Sequence, residues 1–469
     1  MNAPLYFFCG IGGSGMRPLA EYLRAGGHTV AGSDRSFDQG RFPDLADRLR
    51  GMGVGLFPQD GSGLTSSDQV LVTSSAVEAT IPDVAAAQDI GARQMIRAEL
   101  LAELTNGAST SCGVAGTSGK STTTGMLAHL LSETGRDPSV VNGAVMLGKQ
   151  GTNDPAQGWR RGASDLFVAE VDESDGSIAR YNPSVGVITN VSEDHKTMDE
   201  LEALFGGYAE RSKRAVLGID SEPVALIAEG LPPEKIVTFS LGARPEADFV
   251  AHDIRRDGGF LTARIEQKGG EPVSLRLPLI GRFNVANALA ALAAGTLLGV
   301  PLAEGAPSLV TFGGTARRLQ HVGSHRGVTV IDDFAHNPDK IGASLKTLTD
   351  HFSRVFLVYQ PHGYGPLRSF RPLYEAAFAD ALRPVDSLLV TEPAYFGGTV
   401  EKTDDAKRLV QTLADQSFQV TYAENREAFR SVLTQTQERD AVVVMGARDD
   451  SLSDFARSLL ADLSQGEVG

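Results

Sequence analysis

Cysteine is almost missing from this chain: two residues in 469, Cys9 and Cys112, each set in an apolar stretch. Neither a disulfide scaffold nor a cysteine-built zinc site can be assembled from them, and a reducing compartment is expected. Positive charge is also in deficit, with 43 Lys and Arg against 58 Asp and Glu and a net charge of -15. That balance argues against a nucleic-acid groove or a face docked on anionic lipid. An anionic ligand must then be captured by local geometry rather than by a general field. No run approaches the ~20 apolar residues of a membrane span, and the first residues carry no basic stretch followed by an apolar core. The expectation is a cytoplasmic protein without membrane insertion. Short-period repeats and low-complexity tracts are absent too.

What is present is the make-up of a packed globular protein, 42% hydrophobic and 22% charged, long enough for about three domains at ~150 residues each. Short β-rich runs at 5–9, 29–33, 54–57 and 70–73 alternate with helical stretches, so residues 1–107 read as a βαβ series. Thr105 to Thr110 are small and polar and read as a connector. A second unit, 108–310, opens with a phosphate-type loop and holds expected strands at 165–170 and 185–191. A third α/β series, 311–469, carries runs at 328–333, 355–359, 387–391 and 441–445. The fold class expected is α/β in three domains: Rossmann-like, then a P-loop domain with a mostly parallel sheet, then Rossmann-like again.

The strongest chemical signal is Gly116-Thr117-Ser118-Gly119-Lys120-Ser121-Thr122, preceded by a β-run at 110–115 and followed by Met126, Leu127, Leu130 and Leu131 on one helical face. Strand, loop and helix is the context a phosphate loop requires. Loop amides and the helix N-terminus converge on a polyphosphate, Lys120 offsets its charge, and the Ser121 hydroxyl suits Mg2+. The strict pattern wants Gly at 114; this chain has Val114, with Gly113 one residue early. Downstream, two apolar runs end in acid: Asp172-Glu173-Ser174-Asp175 and Ser192-Glu193-Asp194-His195. Strand carboxyl ends are where open α/β sheets bind ligands, so Glu173 and His195 read as metal ligands beside the triphosphate, against the blander reading of a solvated acidic loop. Two hard-cation sites at one triphosphate imply phosphoryl transfer. Near the start, Gly10-Ile11-Gly12-Gly13-Ser14-Gly15, with Asp34 closing the next strand, predicts a second pyrophosphate site.

The order of these motifs, together with Gly281-Arg282-Phe283-Asn284 and Asn287, Arg317-Arg318, and Asp332-Asp333-Phe334-Ala335-His336-Asn337-Pro338, resembles the Mur ligases along essentially the whole chain. The resemblance implies an ATP-dependent amide ligase that turns an acid into an acyl phosphate and couples it to an amine, giving ADP and Pi, with Mg2+ as cofactor. The Glu173-Ser174-Asp175-Gly176-Ser177 run, Arg97-Ala98-Glu99-Leu100, the doubled Arg and Gln360-Pro361-His362 are most similar to members that act on the lactyl carboxylate of UDP-N-acetylmuramate in peptidoglycan synthesis. L-Alanine is the favoured acceptor. Attachment of a preformed peptide or another amino acid, as in recycling members, is the alternative. By the same resemblance Gly10, Gly12, Gly13, Ser14, Gly15 and Asp34 hold the uridine diphosphate, with Ser74, Ser75 and Arg97 along the substrate. The resemblance puts Asn287 on adenine. Arg318, Asp333 and His336 complete the nucleotide site, His336 or the Asp333 pair helping to deprotonate the amine, and His362 and Arg368 face the acceptor. A monomer or homodimer is implied.

Departures from the family pattern are local. Ser118 and Ser121 stand where relatives usually carry His and Thr, Phe283 where a His is common, and Gly363, Gly365 and Pro366 where Arg and Thr are usual. The last of these removes charge on the acceptor side and predicts a changed acceptor. Two rivals are a nicotinamide oxidoreductase, which would leave Lys120, Glu173 and His195 without a role, and a nucleotide-binding protein that does not ligate.

Overall fold

The computed structural model describes residues 5–75, 77–152, 156–192, 197–257, 259–395, 401–447 and 449–465. Three sheets are distributed over two compact units. One comprises Met1–Leu279 with Phe283–Gly314, the other Ile280–Arg282 with Thr315–Gly469. Among the described residues no helix is long and apolar enough to cross a membrane.

The first sheet is parallel, in the order Gly55–Phe57, Thr29–Ser33, Leu5–Cys9, Gln69–Thr73, Arg93–Ile96. The order reverses at Leu5–Cys9, so a crevice opens where that strand ends, at Gly10. The central sheet has ten strands. At its middle Thr110–Ala115 lies parallel between Leu166–Glu170 and Val185–Ile188, which brings three strand carboxyl ends together. These strands are apolar runs rather than alternating ones because helices cover both faces; Val168, Val187 and Val114 are wholly buried.

The two sheets of the first unit share a core. Tyr22, on helix Met16–Ala25, packs edge-on against Phe167 of the central sheet at 5.5 Å, and Trp159 Nε1 donates to the buried Glu21 carboxylate at 2.7 Å. The first half of the expected connector at 105–110 is helix: Arg97–Gly107 runs into it, because the Thr105 hydroxyl donates back to the Leu101 carbonyl at 2.7 Å and is buried there. Only Ala108 and Ser109 separate that helix from the next strand.

The second unit holds a six-stranded sheet, ordered Gln320–His325, Val328–Asp333, Ala441–Gly446, Val355–Gln360, Ser387–Thr391, Gln419–Ala423. Only its first strand is antiparallel to its neighbour. The central run Ala441–Gly446 is buried at all six positions.

Candidate functional site

The phosphate loop is built by glycines with positive φ. Gly116 (φ 133) leaves the strand and Gly119 (φ 86) caps helix Lys120–Glu133 without any side-chain cap. The first helical amides therefore face outward unsatisfied by a cap, the arrangement that attracts phosphate. A Cβ at Gly119 would stand 2.3 Å from Asn287 Oδ1, and one at Gly116 would stand 2.1 Å from Thr189 Oγ1. The early Gly113 is a packing glycine, not a displaced loop residue: it lies in strand Thr110–Ala115, where a Cβ would meet the Tyr208 hydroxyl at 2.3 Å. That hydroxyl donates to the Gly113 carbonyl at 2.7 Å.

The loop is clamped by the strand beside it. Val185–Ile188 stops three residues sooner than its apolar run suggests: Thr189 N still donates to the Ala115 carbonyl of the neighbouring strand (3.1 Å), but the Thr189 hydroxyl and Asn190 turn to the loop. Thr117 N donates to the Asn190 carbonyl (3.0 Å) and Ser118 N to Asn190 Oδ1 (3.0 Å). Asn190 Nδ2 and Thr189 Oγ1 both donate to the Ser118 carbonyl, at 2.9 and 2.7 Å. Thr189 was not singled out from the sequence; the available signal was a polar Thr-Asn pair placed directly after a buried strand opposite the loop.

Lys120 reaches back over this frame, donating to the Gly116 carbonyl at 2.7 Å and pairing with Glu173 Oε2 at 2.8 Å. It does not lie on an exposed loop: its side chain is 14% exposed and that of Glu173 9%. Burial opposes the charge on Lys120, but Glu173, Asp172 and Glu170 hold its ammonium above the ordinary value. Burial raises the Glu173 carboxyl although Lys120 pulls it down. Asp172 is likewise disfavoured by burial, yet Lys120, the Ser174 amide and Arg97 hold it below the usual range. One lysine against three carboxylates leaves an excess of negative charge. Among the described residues no group of three or more His, Cys, Asp or Glu side chains is placed to hold a metal ion; carboxylate and hydroxyl oxygens such as those of Glu173 and Ser121 are of the hard kind that would suit Mg2+. His195, the other expected ligand, lies outside the described residues. Asn287 is buried; it accepts from Thr123 Oγ1 at 3.3 Å and donates to Asn284 Oδ1 at 3.1 Å. Its side chain thus braces the phosphate loop at Thr123 and Gly119. Ser118 and Thr122 flank the loop and first turn.

In the first sheet Gly10 (φ 82) and Ile11 donate to the Ser33 carbonyl, and Gly12 N donates to Asp34 Oδ2 at 2.9 Å. Asp34 Oδ1 accepts from Ser36 N at 2.8 Å. Asp34 thus shapes the glycine loop with both oxygens, and a Cβ on Gly12 would strike it and Phe37. Gly13 and Ser14 complete the turn into helix Met16–Ala25. Ser74 and Ser75 follow the adjacent parallel strand Gln69–Thr73 and so lie at the same edge. The Arg97 guanidinium group lies 3.5 Å from where a Gly15 Cβ would be and also bears on Asp172. Arg97 therefore links the glycine loop to the acidic strand end, both within the first unit.

In the second unit the doubled arginines divide. Arg317 is buried, bonding Asp332 (3.3 Å) and the Gly446 carbonyl (2.6 Å), while Arg318 lies over the Phe334 ring at 4.8 Å. Asp333 is buried and accepts from Leu319 N at 3.1 Å; burial pushes its carboxyl up. Its Oδ2 is buried without a hydrogen-bond partner among the described residues, so the carboxylate is only partly engaged by the chain. His336 Nδ1 donates to the Phe334 carbonyl at 3.0 Å, which leaves Nε2 as the acceptor, and its ring meets that of His362 edge-on at 5.0 Å. Burial drives its pKa down to about 4, so it is neutral and a weak base. Arg368 holds the Glu401 carbonyl (2.9 Å) and lies 3.8 Å from Asp405.

A phosphate loop with an acidic strand end, on the second of three α/β sheets in chain order, defines a nucleoside-triphosphate-dependent enzyme of the α/β class. Family models match in sequence order: the Mur ligase family catalytic domain over 6–109, the Mur ligase middle domain over 114–295, and the Mur ligase glutamate ligase domain over 317–448. A UDP-N-acetylmuramate--L-alanine ligase from Synechococcus sp. (strain JA-3-3Ab) is 35% identical over 95% of this chain and 84% of its own. One from Rhizobium meliloti (strain 1021) is 33% identical over 98% and 97%. The chain belongs to the Mur ligase family. Its fold matches the crystal structures of UDP-N-acetylmuramate-alanine ligase from Thermotoga maritima (TM-score 0.79, 23% identity, covering 99% and 100%) and of a murein peptide ligase from Psychrobacter arcticus 273-4 (0.69, 22%, 100% of each).

Proposed function

We propose that this chain uses ATP to join L-alanine to the lactyl carboxylate of UDP-N-acetylmuramate in the cytoplasm, supplying peptidoglycan precursor. The observation that carries the reading is the buried Lys120–Glu173 pair at the mouth of an uncapped phosphate loop; similarity to L-alanine ligases over nearly the whole chain supports the substrate. A carboxylate resists attack by an amine, so it is first phosphorylated: a lactyl oxygen bonds to the γ-phosphorus and the bond to ADP breaks. The amine nitrogen then adds to the acyl carbon, loses a proton, and phosphate leaves. No covalent enzyme nucleophile is needed, and the protein's contribution is positioning and charge compensation.

In this reading the amides of Gly119 to Thr122 and Lys120 hold the phosphates. Ser121 and Glu173, with His195, would hold Mg2+, which would supply positive charge against the triphosphate. A triphosphate that engages Lys120 would free the Glu173 carboxylate from its ion pair. Gly10 to Gly15 and Arg97 hold the UDP-sugar, and in the second unit Arg318 and His362 are the residues assigned to nucleotide and acceptor by family resemblance. A neutral His336 acts there as a hydrogen-bond acceptor rather than as the resting base. The domains are read as 1–107, 108–310 and 311–469. The test is phosphate release with ATP, UDP-N-acetylmuramate and acceptor each omitted in turn, with L-alanine, other amino acids and short peptides compared. Release that needs all three and prefers L-alanine supports the proposal. Release without the sugar nucleotide overturns it, and preference for a peptide would move the reading to a recycling ligase.

A further inference from the structure

The free edge of the first sheet borders a cavity that the proposed reaction leaves unused. Strand Arg93–Ile96 ends that sheet: it pairs with Gln69–Thr73 on one side, and among the described residues no strand pairs with the other. Such an edge presents main-chain N–H and C=O groups to whatever lies beside it. A cavity of about 390 Å3 is walled by this strand, helix Arg97–Gly107 and Arg180. Main-chain groups point alternately to the two edges of a strand. Ile96 N turns outward, to Glu99 Oε2 at 2.9 Å, so Gln94, two residues earlier, offers its own N–H and C=O on that side. Met95 and Ala102, both buried, give the cavity an apolar floor.

The rim is charged but balanced. Arg93 pairs with Glu103, and Arg180 with Glu99 at 2.8 Å; both arginines and Glu103 are more than half exposed. Pairs so open contribute little to the fold, and a ligand's own charges can replace them at small cost. Two positive and two negative groups favour neither an anion nor a cation; they match a molecule carrying one charge of each sign. Asn106 fastens the far wall, its Nδ2 donating to the Arg180 carbonyl at 2.8 Å. We infer that this groove binds a short extended peptide with free ends. Its main chain pairs with Gln94 as an added strand, and its terminal carboxylate and ammonium meet the arginines and the glutamates. The edge is four residues long; at about 3.3 Å per residue it offers about 13 Å, enough for a peptide of three or four residues. None of these walls belongs to the phosphate loop, the glycine loop or the acidic strand end, so the groove is separate from the site of ligation.

The experiment is equilibrium binding of trialanine with free ends, of N-acetyl-trialanine amide and of inorganic phosphate to the full chain, to Arg93→Gln and to Gln94→Pro. The proline removes the outward N–H and leaves the pairing with Gln69–Thr73, as an edge strand tolerates. Trialanine is expected to bind wild type more tightly than the capped peptide or phosphate does, and to bind each variant about tenfold more weakly. Turnover with ATP, UDP-N-acetylmuramate and L-alanine should be the same in all three proteins. No binding of trialanine by wild type, or equal binding by wild type and Arg93→Gln, overturns the proposal. Phosphate bound more tightly than trialanine overturns it too, since an anion site has no use for the glutamates. A fall in turnover in Arg93→Gln would overturn the separation of the groove from the site of ligation.

Discussion

Lys120 shows how far residue-scale reading reaches. Its identity and its phosphate-facing role are legible from the Gly-Lys-Ser spacing, but its burial is not, because Glu173 lies 53 residues away and no local pattern links them. A lysine on an open loop could be removed at little cost to the fold. This one shields a carboxylate that is 9% exposed, and breaking a buried pair by deleting one partner typically costs about 3–5 kcal/mol. Lys120→Ala is therefore expected to abolish turnover and also to lower the urea midpoint. The sign with pH follows from Glu173, whose carboxyl is already raised by burial and rises further without the lysine. The loss should be smallest at acid pH, where Glu173 is protonated in both states, and should grow as pH rises through its folded value. Lys120→Ala/Glu173→Gln should recover part of the stability and none of the activity. Equal stability of Lys120→Ala and wild type across pH would refute the buried pair.

His336 gives the opposite sign. Its pKa is depressed to about 4 from the ordinary 6.5, first by burial, so it contributes stability above pH 6.5 that is lost as pH falls toward 4. The ceiling on that loss is on the order of 3 kcal/mol. His336→Gln should flatten the acid limb of stability over this interval, as measured by chemical denaturation at several pH values. An unchanged acid limb would show that the imidazole is not buried neutral.

At the scale of elements, the alternation of apolar runs and helical stretches was readable for all three sheets, since buried parallel strands are continuous hydrophobic runs. Their ends were not. Val185–Ile188 closes early because the Thr189 hydroxyl and Asn190 make four hydrogen bonds to the phosphate loop. Helix Arg97–Gly107 overruns its polar tail because Thr105 bonds within it. Both are tertiary or side-chain effects invisible to periodicity. The strand-end clamp predicts that Asn190→Ala, which removes two side-chain hydrogen bonds from Ser118, loosens the loop without touching phosphate. At about 1 kcal/mol per bond kcat/KM for ATP should fall roughly ten- to thirtyfold, with thermal stability nearly kept. A purely structural role would instead lower stability and leave the KM for ATP unchanged.

The whole molecule holds the feature least accessible to sequence. Three α/β series were legible, but the first two share a core through contacts such as Glu21 to Trp159, separated by 138 residues, so three sheets make two compact units. Trp159 is the only tryptophan in the chain, which makes it a private reporter of the first unit. Its indole donates to a carboxylate that also holds Arg48. Removing that donor leaves a buried charge short of one charge-assisted bond, a loss of about 1.5–3 kcal/mol. Calorimetry should therefore resolve two transitions rather than three, with tryptophan emission following only one of them. Trp159→Phe should move that same transition down by a few degrees and leave the other, belonging to Thr315–Gly469, in place. A separate early transition for residues 5–107 that leaves Trp159 emission unchanged would mean that the shared core does not couple the two sheets.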